Sequence, residues 1–129
     1  MEIALSAKGT VTLENFWGEP LKLMKLTHLS LRTSTVELKD VPQGAIIKNA
    51  MEFIYQRGIG KPRDYWILDI VTQENTRYRS EPMYDCSIDE TESPTEGHVI
   101  IGVNGESKRI YTVLDSGDRC SDSMNQVWL

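Results

Sequence analysis

The two histidines, His28 and His98, are the side chains of this sequence best suited to act as general bases. A nucleophilic triad also needs a serine and an acid that the fold places beside the histidine. No serine of the chain occurs in a nucleophile-elbow motif, in which a strained turn exposes the hydroxyl. We therefore predict that both histidines are ordinary surface or half-buried side chains, and that the protein is not an enzyme.

Carboxylates are concentrated in two segments, 85–96 and 115–122, and oxygen ligands of this kind bind calcium. The candidate metal ligands are Asp85, Asp89, Glu90, Asp115 and Asp118. Neither segment has the Asp-x-Asp-x-Asp-Gly spacing of a calcium loop, so solvated acidic loops that increase solubility are the alternative. We expect no cofactor.

The two cysteines, Cys86 and Cys120, lack the Cys-x-x-Cys or histidine-rich context of a zinc site. One disulfide bond and two free buried thiols are both compatible with the sequence, because cysteine pairing depends on the redox compartment.

Aromatic side chains near predicted turns are candidates for ligand binding. They are Trp17, Phe16, Tyr65, Tyr84 and Trp128. Amphipathic rings suit lipid headgroup interfaces, where an apolar face meets water, and they also stack on sugars. Trp17 precedes a Gly-Glu-Pro turn and is the best surface candidate, whereas Trp66 begins the most apolar run and is predicted to lie in the core.

Asp69 interrupts that apolar run, residues 65–71. A carboxyl buried in such a run would be a candidate catalytic acid. The alternative is a carboxylate that accepts hydrogen bonds from loop backbone.

Short alternating segments separated by turn residues predict the elements that position these side chains. Asn104-Gly105 lies between two β-prone runs and predicts a hairpin over residues 98–114, because both residues tolerate positive φ. The run at 65–71 predicts a strand buried on both faces. Residues 3–13 predict one or two strands, broken near Lys8-Gly9.

Residues 46–57 fit two interpretations, because short apolar runs do not distinguish a strand from a helix by period alone. We favour a strand over residues 51–56; a helix near 46–57 would make the fold α+β. The whole chain, residues 1–129, is predicted to be mostly β, a single-domain antiparallel β-sandwich.

The composition excludes some classes of binding partner. The net charge of −5 argues against nucleic acid and against anionic membranes, which both attract clustered lysine and arginine. The longest apolar runs are far below the roughly 20 residues of a membrane span, so an integral membrane protein is not expected. Residues 1–8 are too short and acidic for a signal peptide, which predicts a cytoplasmic protein or a secreted one without a signal in this chain.

Three short segments resemble the aegerolysins, small acidic β-sandwich proteins that bind membrane lipids. The segments are Val41-Pro42-Gln43-Gly44, similar to an Ile-x-Pro-Gly turn of that family, Ser93-Pro94-Thr95-Glu96-Gly97 and Ile110-Tyr111-Thr112-Val113. The chain departs from the family at residues 114–120, which contain no tryptophan or proline. The resemblance implies lipid recognition, sometimes together with a pore-forming partner protein.

The leading hypothesis is a non-enzymatic module that binds membrane lipid headgroups, like a cytolysin or toxin component. The first alternative is a protein-interaction or inhibitor module whose acidic loop, 85–96, meets a basic protein partner. The second is a carbohydrate-binding module.

Overall fold

The computed structural model describes residues 5–57, 60–88 and 97–128, which form nine β-strands and no helix. The strands are β1 (Leu5–Phe16), β2 (Leu21–Leu29), β3 (Thr33–Val41), β4 (Ile46–Arg57), β5 (Tyr65–Thr72), β6 (Arg77–Ser80), β7 (Gly97–Asn104), β8 (Arg109–Leu114) and β9 (Arg119–Val127). The prediction of a mostly β protein is confirmed. Within the described ranges, no helix has the length and apolarity needed to span a membrane.

The nine strands form one sheet in the order β3-β2-β5-β6-β9-β8-β7-β1-β4. The two strands at the ends of this order, β3 and β4, contact each other, so the sheet is nearly closed, like a barrel. Among the pairings that the described residues form, β1 with β7 is parallel and the others are antiparallel. The antiparallel arrangement that the sequence predicts therefore has one exception, since β1 and β7 both begin at the same end of the sheet.

The register places the turns at two opposite ends of the sheet. Residues 17–20, 42–45, 73–76 and 105–108 share one end, here called the hairpin end. The other end is called the disulfide end, because Cys86 and Cys120 are bonded there. Inward-facing side chains fill the space between the ends, and Trp66 is fully buried among them, as predicted.

A short extended segment, residues 84–88 and here called the strap, completes the wall at the disulfide end. β6 has only four residues and pairs with residues 124–127 of β9, so it does not reach residues 119–123. The strap lies beside the start of β5, with Asp85 bridged to Tyr65, and Cys86 is bonded to Cys120 of β9. Of the two cysteine states that the sequence leaves open, the structure therefore contains the disulfide.

Residues 46–57 form a strand, so the alternative of a helix there is wrong. β4 contains a bulge, since Val11 and Leu13 of β1 face Met51 and Ile47, and Asn49 has a φ of 54°. At the bulge, Ala50 packs against the core as Ile47 and Met51 do, so residues in contact with the core occur at positions 47, 50 and 51. This spacing produces the helix-like period.

Two other strand predictions need correction. β1 runs through Gly9 without a break, and Gly9 pairs with Phe53 of β4. The glycine makes room for the Phe53 ring, which lies 2.3 Å from where a Cβ would be. β5 alternates between buried and half-buried residues, so it is buried on one face only. Asp69 lies on its outer face.

The predicted hairpin forms from β7 and β8, which are joined by residues 105–108. The residue with positive φ in this turn is Lys108, with a φ of 53°, and Gly105 has another role. A Cβ on Gly105 would lie 1.6 Å from the carbonyl oxygen of Trp17. Gly105 also donates its N–H to the carbonyl of Phe16, so the two turns are in direct backbone contact.

Candidate functional site

A cleft of about 230 Å³ lies on the outer face of β2, β3, β5 and β6 and reaches β9. The register aligns four charged residues across it, in the order Glu37, Lys25, Asp69 and Arg79. The signs alternate along this row, and Arg79 Nε donates to Asp69 Oδ1. Cross-strand pairs of opposite charge stabilise a sheet, so this row is in part structural.

A second cavity of about 230 Å³ opens at the hairpin end. It is lined by Asn75, Thr76, Arg77, Gln126, Val127 and Trp128. Arg77 and Val127 are paired in the β6–β9 ladder and line both cavities, which are therefore adjacent. We call the combined feature the β6–β9 trough.

Trp128 and Arg77 give the trough its chemical character. The Trp128 side chain is 80 % exposed, the highest value among the large hydrophobic residues described. In the described part of the chain, Arg77 has no ion-pair partner, unlike its neighbour Arg79. A guanidinium binds phosphate or carboxylate through two parallel hydrogen bonds, and an exposed indole offers a face to apolar or cationic groups.

The predicted aromatic residues do not form one site. Phe16, Trp17 and Trp128 lie at the hairpin end, whereas Tyr65 and Tyr84 lie at the disulfide end. Phe16 is 38 % exposed, Tyr65 is half-buried and Tyr84 is buried.

The expectation that Trp17 is exposed is wrong, since its side chain is only 8 % exposed. Asn15 Oδ1 accepts the backbone N–H of Trp17, and the indole packs on Tyr78 with ring centroids 4.7 Å apart. Trp17 therefore covers the core at the hairpin end, and Trp128 is the exposed tryptophan of the described residues.

The predicted metal ligands are separate from one another. Asp85 pairs with Arg63, whose pKa is raised chiefly by that hydrogen bond, and Asp115 accepts the backbone N–H of His98. Asp118 is exposed, and Asp89 and Glu90 lie outside the described residues. Within residues 5–57, 60–88 and 97–128, no three potential ligands form a metal-binding group.

Asp69 is 24 % exposed and paired with Arg79 on the outer face, so the hypothesis of a buried catalytic acid is wrong for this residue. Among the residues that the structure describes, the buried carboxylate is Asp64, just before β5 and 1 % exposed. Its Oδ1 lies 2.8 Å from Nε2 of His28, which is fully buried between the rings of Phe53 and Trp66.

The prediction that both histidines are at or near the surface is therefore wrong for His28 and holds for His98. His98 is half-buried, with its two ring nitrogens 3.2 Å and 3.1 Å from the hydroxyls of Thr10 and Thr12. The parity of β2 carried the signal for His28, because Met24, Leu26 and His28 alternate on the inward face.

Two tyrosines predict a loss of stability in alkaline solution. Burial raises the pKa of Tyr84 to about 12, and burial with the hydrogen bond to Glu14 raises the pKa of Tyr111. Unfolded tyrosines ionise near pH 10, so between about pH 10 and 12 the unfolded state loses protons first. We expect the free energy of unfolding, measured by urea titration, to fall as the pH rises through this range.

The control for this prediction is Tyr84→Phe, which removes one of the two groups and should make the fall shallower. An ultraviolet titration in which all five tyrosines of the folded protein ionise together near pH 10 would contradict it.

Comparison with known proteins adds no assignment, since no protein-family model and no curated protein sequence matches this chain. The resemblance to the aegerolysins stays a prediction.

Proposed function

We propose that this protein is a non-enzymatic binding module that recognises membrane lipid headgroups through the β6–β9 trough. The observation that carries the proposal is the exposed indole of Trp128 beside Arg77, which no described carboxylate neutralises. Tryptophan is favoured at the membrane interface because its ring is apolar and its N–H is polar. Arg77 then binds a headgroup phosphate, and the amide of Gln126 donates further hydrogen bonds.

The net charge of −5 favours headgroups without net charge over anionic ones, because an anionic surface repels the protein at long range. The positive charge of Arg77 acts only locally. A zwitterionic phospholipid, with phosphate and a cationic group in one headgroup, fits this combination, since the cationic group can lie over the Trp128 ring.

The proposal includes a β-sandwich architecture, as the resemblance to the aegerolysins implies. The two halves of β9 support it, because residues 119–123 pair with β8 and residues 124–127 pair with β6. β9 would then connect a layer containing β4, β1, β7 and β8 with a layer containing β3, β2, β5 and β6.

Replacing Trp128 by alanine is expected to weaken binding to zwitterionic phospholipid vesicles by about tenfold or more, while the melting temperature stays nearly unchanged because the side chain is exposed. Co-sedimentation with vesicles measures the binding. Leu31→Ala is the matched control, since Leu31 is 67 % exposed at the disulfide end. In the unaltered protein, Trp17 and Trp66 are buried, so a blue shift of tryptophan emission on vesicle addition reports Trp128.

No emission shift and no co-sedimentation with any lipid mixture would refute the proposal. A carbohydrate-binding module is the second candidate, because Asn75, Thr76 and Gln126 offer amide and hydroxyl groups to sugar hydroxyls. Arg77→Gln separates the two candidates. It removes the guanidinium that would bind phosphate, so lipid binding should weaken, but it leaves an amide that can bind sugar hydroxyls.

A further inference from the structure

The strap, residues 84–88, is held on its β5 side by a continuous set of hydrogen bonds. Trp66 donates its backbone N–H to the Tyr84 carbonyl at 3.0 Å and its indole N–H to the Cys86 carbonyl at 3.0 Å. Cys86 donates its N–H to the carbonyl of Asp64 at 3.1 Å. This side resembles a short strand pairing.

Asp64 adds side-chain contacts on the same side. Its Oδ2 accepts the N–H of Ile88 at 3.1 Å, and its own N–H donates to the hydroxyl of Ser87 at 3.0 Å. Lys61 Nζ donates to the carbonyl of Ile88. Six hydrogen bonds therefore anchor the strap to residues 61–66, independently of the disulfide.

The side of the strap that faces β9 is different. In the part of the chain that the structure describes, no backbone hydrogen bond joins residues 84–88 to β9. β6 does not fill this gap, because it pairs with residues 124–127 of β9 and not with residues 119–123. The disulfide between Cys86 and Cys120 is the covalent link across this gap. Two other polar contacts lie nearby. The hydroxyls of Tyr84 and Thr112 of β8 are hydrogen-bonded, and Asn125 of β9 donates its side-chain N–H to Glu81, which precedes the strap.

We propose that the Cys86–Cys120 disulfide is a redox-controlled closure of the sheet, so that a dithiol reductant opens the wall between the strap and β9 while the strap stays on β5. The dithiol gives two electrons and two protons to the protein disulfide. It forms its own disulfide, and Cys86 and Cys120 become thiols. The two edges then separate, because no backbone hydrogen bond between the described residues holds the strap to β9 once the sulfur–sulfur bond is broken.

The opening exposes an apolar surface that the oxidised protein covers. Cys86 is only 1 % exposed, and Tyr84, Ile88 and Leu114 are also buried. The opening lies at the disulfide end, away from the β6–β9 trough, so this proposal does not depend on lipid binding. Because the strap keeps its bonds to residues 61–66, the opening is local rather than a global unfolding.

The test uses the full chain with Cys120→Ser, which leaves Cys86 as the single cysteine. A chromogenic aromatic disulfide reagent labels the Cys86 thiol in low concentrations of urea. We expect labelling about 100-fold faster than global unfolding allows and nearly independent of urea, which is the signature of local opening. Cys86→Ser, in which partly exposed Cys120 remains, provides the reference rate for an accessible thiol.

Labelling of Cys86 that depends on urea as steeply as global unfolding does, from the lowest concentrations, would overturn the proposal. Hydrogen exchange of the unaltered protein with and without dithiothreitol is the second measurement. It should show faster exchange at the edge of β9, residues 119–123, and little change at the Cys86 and Ile88 amides, which stay bonded to Asp64, or at the β1–β4 pairing. Loss of cooperative structure on reduction, in the variant and in the reduced protein alike, would show that the disulfide is required for the fold and would also overturn it.

Discussion

Replacing Asp64 by asparagine is expected to lower the free energy of unfolding by about 2–4 kcal/mol, because it removes a buried charge from two hydrogen-bond donors and from the neighbouring Lys61 ammonium. His28 Nε2 lies 2.8 Å from Oδ1, Ile88 donates to Oδ2, and Lys61 Nζ lies 3.7 Å from Oδ2. An asparagine directs its NH₂ group at one of these donors. The side chain is 1 % exposed, so water does not replace the lost bond.

The measurement is urea denaturation of Asp64→Asn beside Asp118→Asn, which makes the same chemical change at an exposed position. The control variant should differ from the unaltered protein by less than about 0.5 kcal/mol. A loss below about 1 kcal/mol for Asp64→Asn would show that the buried pair is not a major contributor to stability. Tryptophan emission gives a second signal, since Trp66 packs against His28.

Gly105→Ala is expected to cost about 2–4 kcal/mol, since the added methyl meets backbone that cannot rotate away. The Cβ would lie 1.6 Å from the Trp17 carbonyl oxygen and 2.5 Å from its carbonyl carbon. To make room, the turn at 105–108 must move away from the end of β1, which breaks the bond from Gly105 N–H to the Phe16 carbonyl. The cost comes from close backbone approach, whereas φ at this position is not in the left-handed region.

Gly117→Ala is the matched control, because Gly117 lies in another hairpin turn with a φ of 92° and open space where the Cβ would be. It should cost only the conformational strain, about 1 kcal/mol. Thermal melts and urea titrations of both variants give the comparison. Equal losses at the two positions would contradict the explanation from close approach.

The elements with strong local signals could be predicted from the sequence. Alternation predicted a mostly β protein, and the apolar run at 65–71 predicted that Trp66 lies in the core. Asn104-Gly105 located the hairpin correctly, but for the wrong reason. The turn needs a glycine to approach the first turn of the chain, and no local pattern contains that information.

The site residues depend on partners that are distant in the sequence, and therefore could not be placed from local pattern. Trp17 resembles an exposed loop aromatic until Tyr78 packs against it. His28 and Asp64 are 36 positions apart, and Cys86 and Cys120 are 34 apart. Arg77 was not a candidate because its place in the trough comes from the ladder position opposite Val127, next to Trp128.

The bulge in β4 shows why period alone left two interpretations open. Two residues of β1 face a longer segment of β4, so Ile47, Ala50 and Met51 all pack against the core, at spacings of three and four residues, and the spacing of two resumes at Phe53. A helix and a bulged strand then give the same pattern over a short run.

The parallel pairing of β1 with β7 has a consequence for how the chain folds during synthesis. Gly9 pairs with Gly97 and Phe16 with Asn104, so one ladder of β1 forms only after residues 97–104 have left the ribosome. Until then this edge of β1 keeps unpaired N–H and C=O groups, which can pair with another nascent chain. High contact order of this kind slows folding, so closure by β7 is a late step that competes with aggregation.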